Sequence, residues 1–389
     1  MIRGLRRETM TVSLVIPKEI APGEKRVALV PDTVGIYVKA GIEVRVESGA
    51  GESSYYTDRD YAAKGAKMIP DHKSALSNAD IVLKVQPPTP EEVGMMKAGT
   101  IVIGHMSPTK ALDSAAKMRD QKVTAFAMEL VPRITRAQVM DALSSQANIA
   151  GYEAVLIGAE ISPKYFPMLT TAAGTVRPAK VLILGAGVAG LQAIATAKRL
   201  GAMVTAYDVR RVVGDQVRSL GAKFLELQIN AEGSGGYARE LTPEEKAEEQ
   251  KMVSKAVAES DVVITTANVP GKKAPRLIAK ETVAMMKPGS VVVDLAAESG
   301  GNCELTKPGE RVVVNSVTID GPLNLPSRLP FHASQLYSKN VQAFLELLVS
   351  KDGKLTTTFT DEILTASMLV SNGEVKYAPT RDLLAGGAK

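Results

Sequence analysis

The chain has 389 residues, 45% hydrophobic and 23% charged, which is more than one core organises and predicts two or three domains. Its 47 basic and 42 acidic residues leave a net charge of +5 and are mixed along the sequence, which excludes a basic groove or tail for nucleic acid. The single cysteine, Cys303, excludes an internal disulfide and a multi-thiolate metal site and fits a reducing compartment; the widely separated His72, His105 and His332 argue against a zinc centre, so no metal is expected.

Arg3, Arg6 and Arg7 open a leader without the apolar run of a signal peptide, and a disordered start is expected there. A strand at 12–16 is followed by the polar loop PKEIAPGEKRVALVP. Next come a helix near 34–40, strands at 42–46, 81–85 and 101–103, a helix at 110–118 and a strand at 123–126. Strands alternating with helices predict a parallel sheet covered on both faces, without a glycine fingerprint in this stretch. A helix at 140–159 leads out. In YFPMLTTAAGTVRPAK, Ala173-Gly174 lies between β-prone runs, as in a hairpin. That hairpin is either a dimerisation arm or an ordinary intradomain element.

The apolar run 181–184 then meets Gly185, Gly187 and Gly190 in the pattern G-x-G-x-x-G, and helical spacing continues until Gly201. Such glycines make the turn, let backbone approach a pyrophosphate and let helix pack on strand, while the phosphates sit on the helix N-terminus beginning at Val188. The stretch 181–197 is uncharged, but its glycines and its change from strand to helix argue against a membrane span, and no other stretch approaches about 20 apolar residues. The chain is therefore expected to be soluble by itself. After a second apolar run at 203–206, Asp208 stands where an acid accepts hydrogen bonds from a ribose 2′-OH, favouring NAD over NADP. Arg210 and Arg211 leave open pairing with a 2′-phosphate, the pyrophosphate or solvent.

A helix at 214–220 precedes the glycine-rich INAEGSGGYARELTPEEKAEEQ, either a solvated loop or a lid in which Tyr237 covers a ligand. Strands at 261–265 and 291–295 place TTANVPG and DLAAESGGN at carboxyl ends, where ligands of open parallel sheets bind. A helix at 334–349 returns the chain to the first domain, and a helical piece at 361–369 helps to complete it. The expected architecture is α/β, two Rossmann-like doubly wound parallel-sheet domains separated by a cleft. One comprises 12–143 plus 335–389, and the NAD(H)-binding domain comprises 144–334.

MELVPRITRAQVMDALSSQANIAGY is unusually polar for a segment joining two domains, and on its own reads as a capped, salt-bridged helix start. Together with PGEKRVALVP, TTAAGTVRPAKVLILGAGVAGLQAIATAKRLGA, GGYARE, ITTANVPG and DLAAESGGNC, it resembles the NAD(H)-binding domain I, or alpha subunit, of the proton-translocating NAD(P) transhydrogenases. The resemblance covers essentially the whole chain after the leader. It implies that Arg133, Gln138 and Asp141 hold the nicotinamide side of NAD(H) against NADP(H) on a partner subunit, with Ser144 beside them. It also implies that Gly187 and Val188 meet the phosphates, Asp208 and Arg210 the adenosine ribose, Gly236 and Tyr237 form the lid, and Gln250 and Asn268 make further contacts. In that role Gln138 bridges toward the partner nucleotide, and Arg133 and Asp141 hold each other and the carboxamide.

By the same resemblance the protein is a homodimer, docks on membrane-spanning subunits at the cytoplasmic face, and works only with them. Alanine dehydrogenase shares this architecture. Arg26 matches its carboxylate-binding arginine and His105 its catalytic histidine, but Gln86, in Lys84-Val85-Gln86-Pro87-Pro88, stands where its catalytic lysine is expected. An amino-acid dehydrogenase is thereby disfavoured. A non-catalytic NAD-binding protein is the other alternative.

Overall fold

The computed structural model describes residues 12–226, 242–268, 273–356 and 358–386. The chain divides into two compact units, Met1–Gln146 with Leu329–Lys389, and Ala147–Arg328. The leader arginines, the lid residues Gly236 and Tyr237, and the glycines around them lie outside the described residues.

The first unit opens with β1 (Ser13–Ile16), β2 (Glu43–Glu47), β3 (Lys67–Ile69), β4 (Ile81–Leu83), β5 (Ile101–Gly104) and β6 (Thr124–Ala127). The second contains the hairpin β7 (Leu169–Thr171) and β8 (Gly174–Val176), then β9 (Lys180–Leu184), β10 (Met203–Tyr207), β11 (Lys223–Leu225), β12 (Val262–Thr265), β13 (Val291–Asp294), β14 (Arg311–Val314) and β15 (Val317–Asp320). The chain then supplies β16 (Met368–Ser371) and β17 (Glu374–Val375) to the first unit.

The first sheet runs β3-β2-β1-β4-β5-β6-β16-β17 and the second β11-β10-β9-β12-β13-β15-β14. Counted within each unit, both follow the strand order of a doubly wound dinucleotide fold, which reverses between β1 and β4 and between β9 and β12. Such a reversal leaves a crevice at the strands' carboxyl ends. Each sheet is parallel through its first six members in this order and ends antiparallel: β16 and β17 in the first, β14 in the second. The antiparallel edge is an addition to the doubly wound parallel sheets expected from the sequence.

Strands such as Leu14–Ile16, Val181–Leu184 and Val291–Val293 are buried throughout because helices cover both faces. Pro330 occupies the first turn of Pro330–Leu345, so this helix starts earlier than periodicity predicts. The helical piece expected at 361–369 is Glu362–Ser367, and Met368 already belongs to β16. No helix among the described residues is long and apolar enough to cross a membrane. The hairpin is exposed along its length, with Met168, Leu169 and Val176 at 64%, 37% and 45% exposure, apolar surface that its own unit leaves uncovered.

The carboxyl ends of the first sheet carry a chain of ionisable groups. His72 Nδ1 lies 2.7 Å from Glu47 and its Nε2 3.1 Å from Glu92, whose Oε1 also accepts from Lys84 Nζ at 2.6 Å. Lys84 Nζ is in turn 3.4 Å from the buried Glu19. Hydrogen bonds to Glu47 and Glu92 raise His72 to about 9, against the effect of its partial burial. A folded pKa above the ordinary 6.5 confers stability that is complete below pH 6.5 and lost as pH rises through about 9. The stability advantage of the native chain over His72→Gln, from urea midpoints across that range, is expected to shrink as pH rises. A constant advantage would show that the histidine gains nothing from its carboxylates.

Candidate functional site

β9 ends at Leu184, and Gly185 turns the chain with φ +100°, a conformation L side chains resist. A Cβ there would also lie 2.6 Å from Thr266 Oγ1. Gly187 precedes the helix Val188–Arg199, and a Cβ on it would meet nothing within 4 Å. The space beside Gly187 is thus open at the N-terminus of a helix, whose first turn leaves N–H groups without intrahelical partners, and this fits a dinucleotide's pyrophosphate. At Gly190 a Cβ would stand 1.9 Å from Gly185 O, so helix and turn approach as only glycine permits.

Asp208 follows β10, and its carboxylate already receives four N–H groups. They are Ala186 N at 2.8 Å and Arg210 N, Nε and Nη2, each at 2.9 Å. The acid expected at the ribose therefore also ties the glycine turn to Arg210, whose charge it compensates. Gln250, half-buried on the helix Pro243–Glu259, donates to Ser254 Oγ and Leu277 O. Asn268 is exposed just beyond β12.

In the first unit, Arg133, Gln138, Asp141 and Ser144 converge on one shallow cavity of about 180 Å³, completed by Pro132, Ile134 and Ala137. Buried Ala137 and Met140 root the turn Thr135–Met140, leaving Arg133 and Gln138 exposed. Asp141 caps the helix Ala142–Ile161, accepting from Ser144 N at 2.9 Å and Ser144 Oγ at 2.6 Å. Two further groups brace the loop. Asn340 donates to Val139 O and accepts from Ser145 Oγ, and Arg136 pairs with Asp361 and Glu362.

The residues matched to an amino-acid pocket are engaged by carboxylates of the chain itself. Arg26 binds Glu24 at 2.6 Å and donates to Gln146 Oε1, and Gln86 donates to the same Glu24 carboxylate at 2.7 Å. Burial alone would raise Glu24; hydrogen bonds and charge from Arg26, with the Gln86 bond, outweigh it and hold Glu24 at about 2. Lys84 is bonded to Glu92, and His105 lies 3.7 Å from Glu129 with its ring 5.5 Å from that of Tyr337. An internal carboxylate thus occupies the guanidinium that an amino-acid substrate would need.

Sequence reading misses Gly151, Asn302 and Asn340, which brace the site residues. A glycine inside a long helix is a usable signal, since glycine costs helices about 1 kcal/mol. Asn302 lies in the stretch DLAAESGGNC, which the sequence places at a strand's carboxyl end without marking its partners, and Asn340 leaves no local signal.

The strand order and the glycine turn define an α/β protein with a dinucleotide-type crevice. Family models of the alanine dehydrogenase/PNT N-terminal and C-terminal domains match residues 15–150 and 154–378. The chain is 47% identical over 376 residues to a Rhodospirillum rubrum protein named as the first portion of NAD(P) transhydrogenase subunit alpha, covering 94% of this chain and 98% of that one. It is 32% identical to Bacillus subtilis alanine dehydrogenase, over 95% of this chain and 94% of that one. The solved structure of a transhydrogenase from Sinorhizobium meliloti matches with a TM-score of 0.83 at 43% identity, covering 94% of this chain and 99% of that one. The chain belongs to the alanine dehydrogenase/PNT family, and within it to the NAD(P) transhydrogenase alpha subunits.

Proposed function

We propose that this chain is the NAD(H)-binding subunit of a proton-translocating transhydrogenase, passing hydride between its own NADH and NADP⁺ held on a partner subunit. The observation that carries this reading is the convergence of Arg133, Gln138, Asp141 and Ser144 on a single recess. NAD(H), when bound, supplies or accepts the hydride. Transfer between two nicotinamides needs approach within roughly 3 to 3.5 Å, alignment and exclusion of water, but no proton donor or covalent intermediate.

The chain's residues are accordingly assigned to positioning. Gly185, Gly187, Val188 and Gly190 seat the pyrophosphate, Asp208 and Arg210 the adenosine ribose, and Gln250 and Asn268 add contacts. The family resemblance assigns a covering role to Gly236 and Tyr237, which lie outside the described residues. Arg133, Asp141 and Ser144 hold the nicotinamide end, and Gln138 reaches toward the partner nucleotide. The exposed hairpin serves as the arm of a homodimer, and the names of the relatives, which are subunits, support partner chains. These would be an NADP(H)-binding component and membrane-spanning subunits at the cytoplasmic face.

Reconstitution tests the reading. Mixed with the NADP(H)-binding component, the purified chain is expected to transfer hydride from NADH to NADP⁺, and Gln138→Asn to slow transfer while NADH affinity holds. Alone with NAD⁺ and L-alanine it is expected to produce no NADH, because Glu24 already fills Arg26. Reduction of NAD⁺ by alanine would establish an amino-acid dehydrogenase, and NADH binding without transfer in the mixture a non-catalytic protein.

A further inference from the structure

β12 and β13 end side by side, with Thr265 opposite Asp294. The Asp294 carboxylate is fully buried and fully used: Oδ1 accepts from Thr265 Oγ1 at 2.8 Å and Ala296 N at 3.0 Å, and Oδ2 from Cys303 N at 3.0 Å and Thr306 Oγ1 at 2.6 Å. The bonds from Ala296 N and Cys303 N, the latter beside Asn302, fold the segment after β13 back over the strand end, and Asn302 has no exposed surface there.

Asn302 then grips the segment after β12. Its Oδ1 accepts from Ala267 N at 3.1 Å, and its Nδ2 donates to Ala267 O at 2.8 Å and to Pro275 O at 2.7 Å. Both backbone groups of one residue are held, together with a residue further along, so a single amide brackets the chain where it leaves β12 and where it returns. Its own carbonyl accepts from Leu277 N and Ile278 N, which fastens the bracket to the next element.

Ala267 is one residue from the glycine turn's seat. Thr266 N donates to Leu184 O at 2.8 Å and Thr266 Oγ1 to Gly185 O at 3.0 Å. The turn has no slack against this seat, since a Cβ on Gly185 would come within 3.1 Å of Ala267 N. A shift of Ala267 is therefore transmitted directly to the N–H groups of the turn.

We infer that Asn302 is a positioning residue for the nucleotide site: it sets the glycine turn and Asn268 through Ala267, without touching the nucleotide. This rests on the assignment of NAD(H) to the second unit. An uncharged amide is required, because a carboxylate can accept from Ala267 N but cannot donate to Ala267 O or Pro275 O, two carbonyls that would be left facing an acid.

The experiment compares the purified full chain with Asn302→Ala, Asn302→Asp and Thr306→Val, measuring both the NADH dissociation constant by nicotinamide fluorescence and the urea midpoint. Thr306→Val removes a donor from Asp294 in the same segment but leaves the Ala267 clamp in place. Both Asn302 variants are expected to weaken NADH binding by about tenfold, and Thr306→Val by less than about twofold at a comparable loss of midpoint. A purely structural role would lower the midpoints of all three and leave affinity unchanged under conditions where they are folded. NADH binding by folded Asn302→Asp at the native affinity would overturn the inference even if Asn302→Ala did not fold. A native chain that bound no NADH would instead sink the functional assignment, and this inference with it.

Discussion

Gly151→Ala is expected to destabilise the chain by about 2 to 3 kcal/mol, although helix propensity alone favours alanine by about 1 kcal/mol. Gly151 lies inside the helix Ala142–Ile161, and a Cβ on it would stand 2.0 Å from Ala189 O and 2.8 Å from Ala189 C. The obstacle is backbone, which has no rotamer through which to yield, so the helices must separate. Overpacking of that kind outweighs the propensity gain, and the two effects have opposite signs. Ala189 belongs to the first turn of the helix proposed to seat the pyrophosphate, so NADH affinity should fall with stability. Urea unfolding and NADH titration read both quantities. A variant more stable than the native chain would show that the helices separate at little cost.

Arg26→Ala is expected to cost about 3 to 5 kcal/mol, the range for stranding one member of a buried ion pair. Glu24 has no exposed side-chain surface and Arg26 only 5%. With the guanidinium gone, Glu24 keeps Gln86 as a donor but loses the charge that offsets its burial. The pH dependence follows with a definite sign. Glu24 is held at about 2 against an ordinary 4.5, so its contribution is present above pH 4.5 and is lost as pH falls toward 2. Arg26→Ala should lack that acid-side loss, and Glu24→Gln combined with Arg26→Met should recover much of the stability, because neither partner is then a buried charge. If the double variant were as unstable as the single one, packing rather than the ion pair would be the cause.

Much of the site is legible residue by residue. The strand, the three glycines and the following helix are local features, and the structure places them together. The polar segment around Arg133 and Asp141 reads as a capped helix start and is one, while its convergence with Gln138 and Ser144 is expected only from family resemblance. Polar residues in a loop carry no period, so nothing in composition distinguishes a recess from a solvated turn. Short elements such as β3 and the helix His72–Leu76 escape a sequence reading for a related reason, being too brief to complete a hydrophobic repeat.

By itself the amino-acid order determined the two α/β units' repeating strands and helices and the position of the glycine turn. Buried strands need continuous apolar runs, and a φ of +100° at Gly185 needs a residue without a Cβ. Only the tertiary structure decided how the charges are used: Glu24 on Arg26, Asp208 on Ala186 and Arg210, and Asp294 beneath the Asn302 clamp. Such partners are chosen by proximity in three dimensions. Arg26 and Gln146, 120 positions apart, meet because the fold brings them together, and no local pattern records that choice.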